Sequence, residues 1–142
     1  MQNTFTAKSS ITINTTAEKV WQALTDPAMV KQYLFGTDVK TDWQVGSPIT
    51  YSGLWEGKPY EDKGTIVKNE PGKLLVTTYW SAAFGENVPE NQRTVSYEIS
   101  PAESGTTLTI TQENAKTEEE RDHSQKNWDM VLNSIKKLLE TA

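Results

Sequence analysis

The sequence predicts an α+β fold in which a long C-terminal helix packs over a curved antiparallel sheet. Three observations carry this. Strand-length runs with a period of two fill the middle of the chain, and Gly- and Pro-containing turns join them as hairpins, which imposes antiparallel pairing. A helical apolar stripe occupies the C-terminal end. Helices occur only after the first strand and at the end, the segregation expected of an α+β domain.

Phe5, Ala7, Ser9, Ile11 and Ile13 alternate with polar residues and read as a half-buried first strand. Asn14-Thr15 breaks it. Thr16 is suited to cap a helix over Ala17–Thr25, whose stripe is Val20, Trp21 and Leu24 with Ala17 and Ala23. Lys19 at the third position means that no capping box forms. Asp26-Pro27 stops this helix, because the residue before Pro is driven out of the helical region. Asp26 then caps a second short helix through about Tyr33, with Pro27 at its first position.

Val39 to Trp43 is a short strand and Val45-Gly46-Ser47 a turn. Ile49, Tyr51, Gly53 and Trp55 mark one face of the next strand. Glu56 to Pro59 is a hairpin turn, and Tyr60 to Lys68 returns with Gly64 inside it, a bulge or sheet bend. Leu74 to Ser81 is the most apolar strand. Ala83 to Asn91 is a loop. Thr94 to Ser100 and Thr106 to Gln112 form a last hairpin with Val95, Tyr97, Ile99, Leu108, Ile110 and Gln112 facing inward. The sheet therefore has six to seven strands.

The final helix spans about Thr117 to Glu140. Thr117 and Glu120 form a capping box. Glu118, Glu119 and Glu120 lie at the positive end of the helix dipole, and Lys136 and Lys137 near its negative end. Trp128, Val131, Leu132, Ile135, Leu138 and Leu139 make the apolar stripe. Before Trp128 the same face carries Arg121 and Ser124, with His123 and Asn127 close by. Half of the helix can grip a sheet. The other half either projects into solvent or roofs a partly polar space, in which an inward Gln112 would orient a ligand.

Composition bounds the function. The chain has 142 residues, enough for one core, and residues 1–142 read as one domain without repeat or linker. The net charge of −5 argues against nucleic acid as partner. No run approaches the ~20 apolar residues of a membrane span, and Met1 to Ser10 lacks the features of a signal peptide. Zero Cys excludes thiolate chemistry and Cys-based metal sites and suits a cytoplasmic setting. No cofactor or metal is expected. The sole His, His123, sits in a polar helical segment without convergent partners, so no catalytic residue is assigned. Arg93 with Glu98 or Glu113 reads as a cavity charge pair or, by preference, a cross-strand surface pair. Phosphate loops, nucleophile elbows and dinucleotide fingerprints are missing.

Val20-Trp21-Gln22-Ala23-Leu24-Thr25-Asp26-Pro27 resembles the first-helix signature of the SRPBCC superfamily, the START and birch-allergen-like helix-grip proteins. Lys31 to Gly36, Asp42 to Ser47, Tyr60 to Gly64, Gly105 to Ile110 and Asn127-Trp128 are similar to bacterial homologues of the activator of Hsp90 ATPase. The resemblance covers nearly the whole chain in order. It implies a helix-grip fold with a cavity between long helix and sheet. Superfamily members include lipid and hydrophobic-ligand binders, polyketide cyclases, ring-hydroxylase subunits and co-chaperones. With 142 residues the extra domain that carries much of the chaperone contact in the eukaryotic activator is not expected, and the sequence lacks the His and Cys ligands of an oxygenase subunit.

The leading expectation is a binding module for a small apolar molecule, lined by Trp21, Phe35, Trp43, Tyr51, Trp55, Tyr79, Tyr97, Gln112 and Trp128. Aromatic side chains supply large contact area at little entropic cost. The alternatives are a co-chaperone or stress-response interaction module with a chaperone partner, and a cyclase- or hydrolase-like enzyme. A monomer or weak dimer is expected.

Overall fold

The structure, a computed structural model, describes residues 4–34 and 36–140, with the side chains of Trp55 and Ala83 excepted. In chain order the elements are β1 (Phe5–Ile13), α1 (Ala17–Thr25), α2 (Pro27–Tyr33), β2 (Asp38–Lys40), β3 (Pro48–Trp55), β4 (Lys58–Glu70), β5 (Leu74–Tyr79), β6 (Arg93–Ala102), β7 (Gly105–Ala115) and α3 (Glu118–Glu140). Single 3₁₀ turns at Ala82–Phe84 and Pro89–Asn91 shape the β5–β6 loop. The strands pair antiparallel in the order β1-β7-β6-β5-β4-β3-β2. This is the α+β helix-grip arrangement that the sequence predicts.

The helix boundaries follow local chemistry. Thr16 Oγ1 accepts from Lys19 N at 3.2 Å and starts α1. Asp26 Oδ1 accepts from Ala28 N at 3.0 Å and starts α2 at Pro27. Thr117 Oγ1 accepts from Glu120 N at 3.0 Å, which is half of the expected capping box. The reciprocal half is redirected: the Glu120 carboxylate accepts from Lys116 N and from Arg93 instead.

Strand limits differ where tertiary contacts intervene. β2 ends at Lys40 rather than Trp43. An Asx turn closes there, with Gln44 N donating to Asp42 Oδ1 at 2.9 Å, and it throws Trp43 into the left-handed region at φ 64°. The β3–β4 turn is only Glu56-Gly57, both with positive φ (51° and 81°), and Lys58 already pairs with Trp55. Two positive φ values match the right-handed twist of a tight hairpin. The bulge in β4 falls between Ile66 and Lys68, not at Gly64. Gly64 instead permits close approach: a Cβ there would lie 1.9 Å from the Thr78 carbonyl oxygen.

The core lies between the concave face of the sheet and the helices. Val131, Leu132, Ile135 and Leu139 of α3 are buried against it, with Trp128 and Leu138 packed at the margin. Each such aliphatic side chain contributes roughly 1.5–3 kcal/mol by leaving water. α3 lies chiefly over β1, whereas α2 rests on β2 and touches α3 lightly. At the C-terminal end of α3, Lys136 Nζ donates to Thr12 O, and Asn14 N donates to Glu140 Oε2.

Candidate functional site

Alternation along the strands turns Ile49 and Tyr51 (β3), Leu75, Thr77 and Tyr79 (β5) and Arg93, Val95, Tyr97 and Ile99 (β6) to the concave face. Cross-strand register sets Leu75 beside Tyr97, Thr77 beside Val95 and Tyr79 beside Arg93. Between this face and the helices lies a cavity of about 20 Å³. Leu24 of α1 and Val30, Tyr33 and Leu34 in and after α2 close one side. Val39, Trp43 and Ile49 close the edge. Tyr51, Leu75, Thr77 and Tyr97 form the floor, and Trp128 of α3 the roof. A void of that size has room for one water. Ligand pockets are typically about 300–1,000 Å³.

Aromatic contacts organise the site. The Tyr97 and Trp128 rings meet edge to face at 6.0 Å, and Tyr51 and Tyr79 at 5.7 Å. Tyr33 Oη donates to Ala23 O at 2.9 Å, which joins α2 to α1. The Tyr79 hydroxyl is hydrogen-bonded to the Asp62 carboxylate. Burial pushes the Tyr51 hydroxyl up to about 12, with the Thr77 hydroxyl opposing and the Asp62 charge adding. Burial likewise raises Tyr33, Tyr97 and Tyr79, the last aided by its bond to Asp62. These phenols stay protonated at neutral pH. They can donate hydrogen bonds, and they do not supply a base.

The polar half of α3 does not project freely. Glu120, Ser124 and Trp128, spaced four residues apart, share the face toward the sheet. Gln112 Nε2 donates to Ser124 Oγ at 3.1 Å, and Trp128 Nε1 donates to Gln112 Oε1 at 2.9 Å. Arg93 Nε and Nη2 donate to Glu120 at 2.6 and 2.9 Å. The Arg93 side chain is 3% exposed, so this is an interior clamp between strand and helix rather than the expected surface pair with Glu98 or Glu113. The Arg93 guanidinium also lies 4.0 Å from the Phe84 ring centre. Partial burial pushes the Glu120 carboxyl up, but its bonds to Arg93 and the Lys116 N–H outweigh this and hold it below the usual range.

Of the nine residues expected to line a pocket, Trp43, Tyr51, Tyr97 and Trp128 border the cavity. Tyr79 backs Tyr51, and Gln112 holds the Trp128 indole. Trp21 packs at the margin of the core without reaching the cavity. Phe35 lies outside the described residues, and of Trp55 only the backbone pairing with Lys58 is described. Sequence reasoning missed Thr77 and Tyr33, and it preferred the surface for Arg93. The signal for two of them was present: Thr77 shares its parity with Tyr79, and Arg93 with Val95, Tyr97 and Ile99. His123 lies in an exposed groove along the start of α3, among Glu119, Asp122 and Lys126.

The family profile described as Activator of Hsp90 ATPase homolog 1-like protein matches residues 14–140. The solution structure of ChR145 from Cytophaga hutchinsonii is similar at TM-score 0.86 and 39% identity, over 99% of this chain and 97% of that one. DynU16, from the dynemicin biosynthetic locus, is similar at TM-score 0.80 and 18% identity, over 96% of this chain and 47% of that one. Ara h 8.0201 is similar at TM-score 0.78 and 9% identity, over 99% of this chain and 100% of that one. The last two likenesses show the fold alone. No curated protein matches the chain.

Proposed function

The chain belongs to the activator of Hsp90 ATPase homologue 1-like family, and we propose that it is a non-enzymatic module binding a small, largely apolar molecule between α3 and the sheet. Proteins of this fold family commonly bind hydrophobic ligands. The observation that carries the reading is the ring of Tyr33, Trp43, Tyr51, Tyr97 and Trp128 around one interior cavity. Aromatic walls with a few convergent hydroxyls are the chemistry of a small-molecule site.

A cavity of about 20 Å³ has to widen to admit such a ligand. Trp43 is a weak wall. It is half-buried in an otherwise largely exposed stretch from Asp42 to Gly46, and its backbone is left-handed. A non-glycine residue in that region costs about 1–2 kcal/mol. Asn69 Nδ2 donates to Trp43 O at 2.7 Å and holds it there. Outward movement of Trp43 opens the cavity without disturbing the α3 grip.

A panel of fatty acids, sterols and aromatic compounds screened by thermal shift tests the proposal. A ligand at 100 times its Kd stabilises the fold by about 2.7 kcal/mol. Unchanged melting across the panel defeats the reading.

One observation favours a second reading, a protein-interaction module acting on a chaperone. The interior is nearly filled by its own side chains, while Val45, Leu54, Val67 and Met130 are exposed. Pull-down with Hsp90 at micromolar concentration distinguishes it, and no retention removes it. Under either reading we place the protein in the cytoplasm. No helix among the described residues is long and apolar enough to cross a membrane.

A further inference from the structure

This inference rests on the binding reading and concerns the ligand's chemistry. Thr77 is 1% exposed in β5; its hydroxyl lies against the Tyr51 hydroxyl, whose titration it lowers, but makes no hydrogen bond of normal geometry. An unpaired buried hydroxyl costs about 1–3 kcal/mol. Alternation along β5 points Thr77 to the concave side, where it borders the cavity with Tyr51 and Tyr97. An unmade polar contact therefore faces a space walled by rings.

Charge narrows the choice. None of the described residues bordering the cavity is charged. The cation on the same face, Arg93, is committed to Glu120. The Asp62 carboxylate, held by Tyr79, already exerts a negative field on Tyr51. A ligand carboxylate would lose its hydration there and meet no cation. An ammonium would gain ring faces but be buried without a direct counter-ion. A neutral oxygen satisfies Thr77 and brings no charge.

We propose that the cavity selects an uncharged apolar molecule carrying one oxygen function, a hydroxyl or a carbonyl, which pairs with Thr77 Oγ1. The apolar body lies against Trp43, Tyr97 and Trp128.

Four probes sharing one ring test this: toluene, benzyl alcohol, benzoate and benzylammonium. Each is titrated at neutral pH into the full chain and followed by amide chemical shifts. Benzyl alcohol is expected to bind about two- to tenfold tighter than toluene, the yield of one neutral hydrogen bond. Benzoate and benzylammonium are expected to bind more weakly than both. Thr77→Val should abolish the preference for benzyl alcohol over toluene, since it removes the hydroxyl at constant shape.

A second measurement needs no ligand. Because the wild-type hydroxyl meets only the Tyr51 hydroxyl and makes no hydrogen bond of normal geometry, Thr77→Val should melt no lower than the wild type. A clearly lower melting temperature means that the hydroxyl has a structural partner, and the proposal fails. It fails too if either charged probe binds as well as benzyl alcohol, or if Thr77→Val keeps the preference. Toluene binding without any head-group preference overturns this inference alone. Binding of no probe, toluene included, overturns the binding reading along with it.

Discussion

The Trp128 indole and the Gln112 amide are locked together: Nε1 of the ring donates to Oε1 at 2.9 Å, while the amide nitrogen donates onward to Ser124 Oγ at 3.1 Å. One strand residue thus holds two successive turns of α3, and it sets the Trp128 ring edge-on to Tyr97 above the cavity.

Gln112→Leu should therefore destabilise the fold by about 1–3 kcal/mol, because the half-buried indole N–H loses its acceptor. At this chain length that lowers Tm by roughly 2–4 °C per kcal/mol. Thermal unfolding followed by tryptophan fluorescence measures it, and an unchanged Tm would show the amide bridge to be dispensable.

Glu120→Gln tests the clamp on Arg93. Breaking a fully buried pair costs about 3–5 kcal/mol. Glu120 keeps 26% of its side chain in water, so about 1–3 kcal/mol is expected here. The pH dependence has a defined sign. The folded-state carboxyl titrates below its ordinary 4.5, so its stabilisation is present above that value and is lost as pH falls through the folded value. Urea midpoints of wild type and Glu120→Gln should converge under acid. A gap that persists to about pH 2, below the carboxylate range, would contradict this.

Asn69→Ala removes the side chain that holds Trp43. The loss of one hydrogen bond costs about 1 kcal/mol, and the stored backbone strain then drives Trp43 toward other conformations. ¹⁹F NMR of fluorotryptophan-labelled protein should show the Trp43 resonance broadened or split, while the Trp21 and Trp128 resonances stay put. A sharp, unmoved Trp43 signal would refute the weak-wall argument.

Gly64→Ala should be among the most damaging substitutions. The new Cβ would sit 1.9 Å from the Thr78 carbonyl oxygen, a backbone atom that cannot swing aside. Overpacking of this kind costs about 1–3 kcal/mol or more. Gly46→Ala meets no atom within 4 Å and suffers only from its φ of +91°. A milder effect at Gly64 than at Gly46 would contradict the close-approach explanation.

Ile135→Ala and Met130→Ala separate the two faces of α3. Ile135 is 0% exposed and Met130 54% exposed. The first should lose about 2–5 kcal/mol and the second stay within about 0.5 kcal/mol. Equal losses in chemical denaturation would mean that the stripe is misassigned.

The amino-acid sequence alone determined the architecture, because the signals involved are local. Thr16, Asp26 and Thr117 sit one residue before the helices they start, and each supplies an oxygen to an orphan backbone N–H. The stripe from Trp128 to Leu139 and the alternation of Val95, Tyr97 and Ile99 follow from fixed helical and strand periods. Parity along β5 and β6 even encoded that Thr77 and Arg93 face inward. What tertiary structure decided is which inward groups meet, and how much room they leave. Glu120 lies 27 residues from Arg93, and local spacing says nothing of that partnership. Trp43 leaves its strand because an Asx turn and a distant Asn69 amide dictate its backbone. The cavity volume is a small difference between the space enclosed by the elements and the side chains that fill it. Every packed neighbour contributes to that difference, so it emerges only once the whole chain has folded.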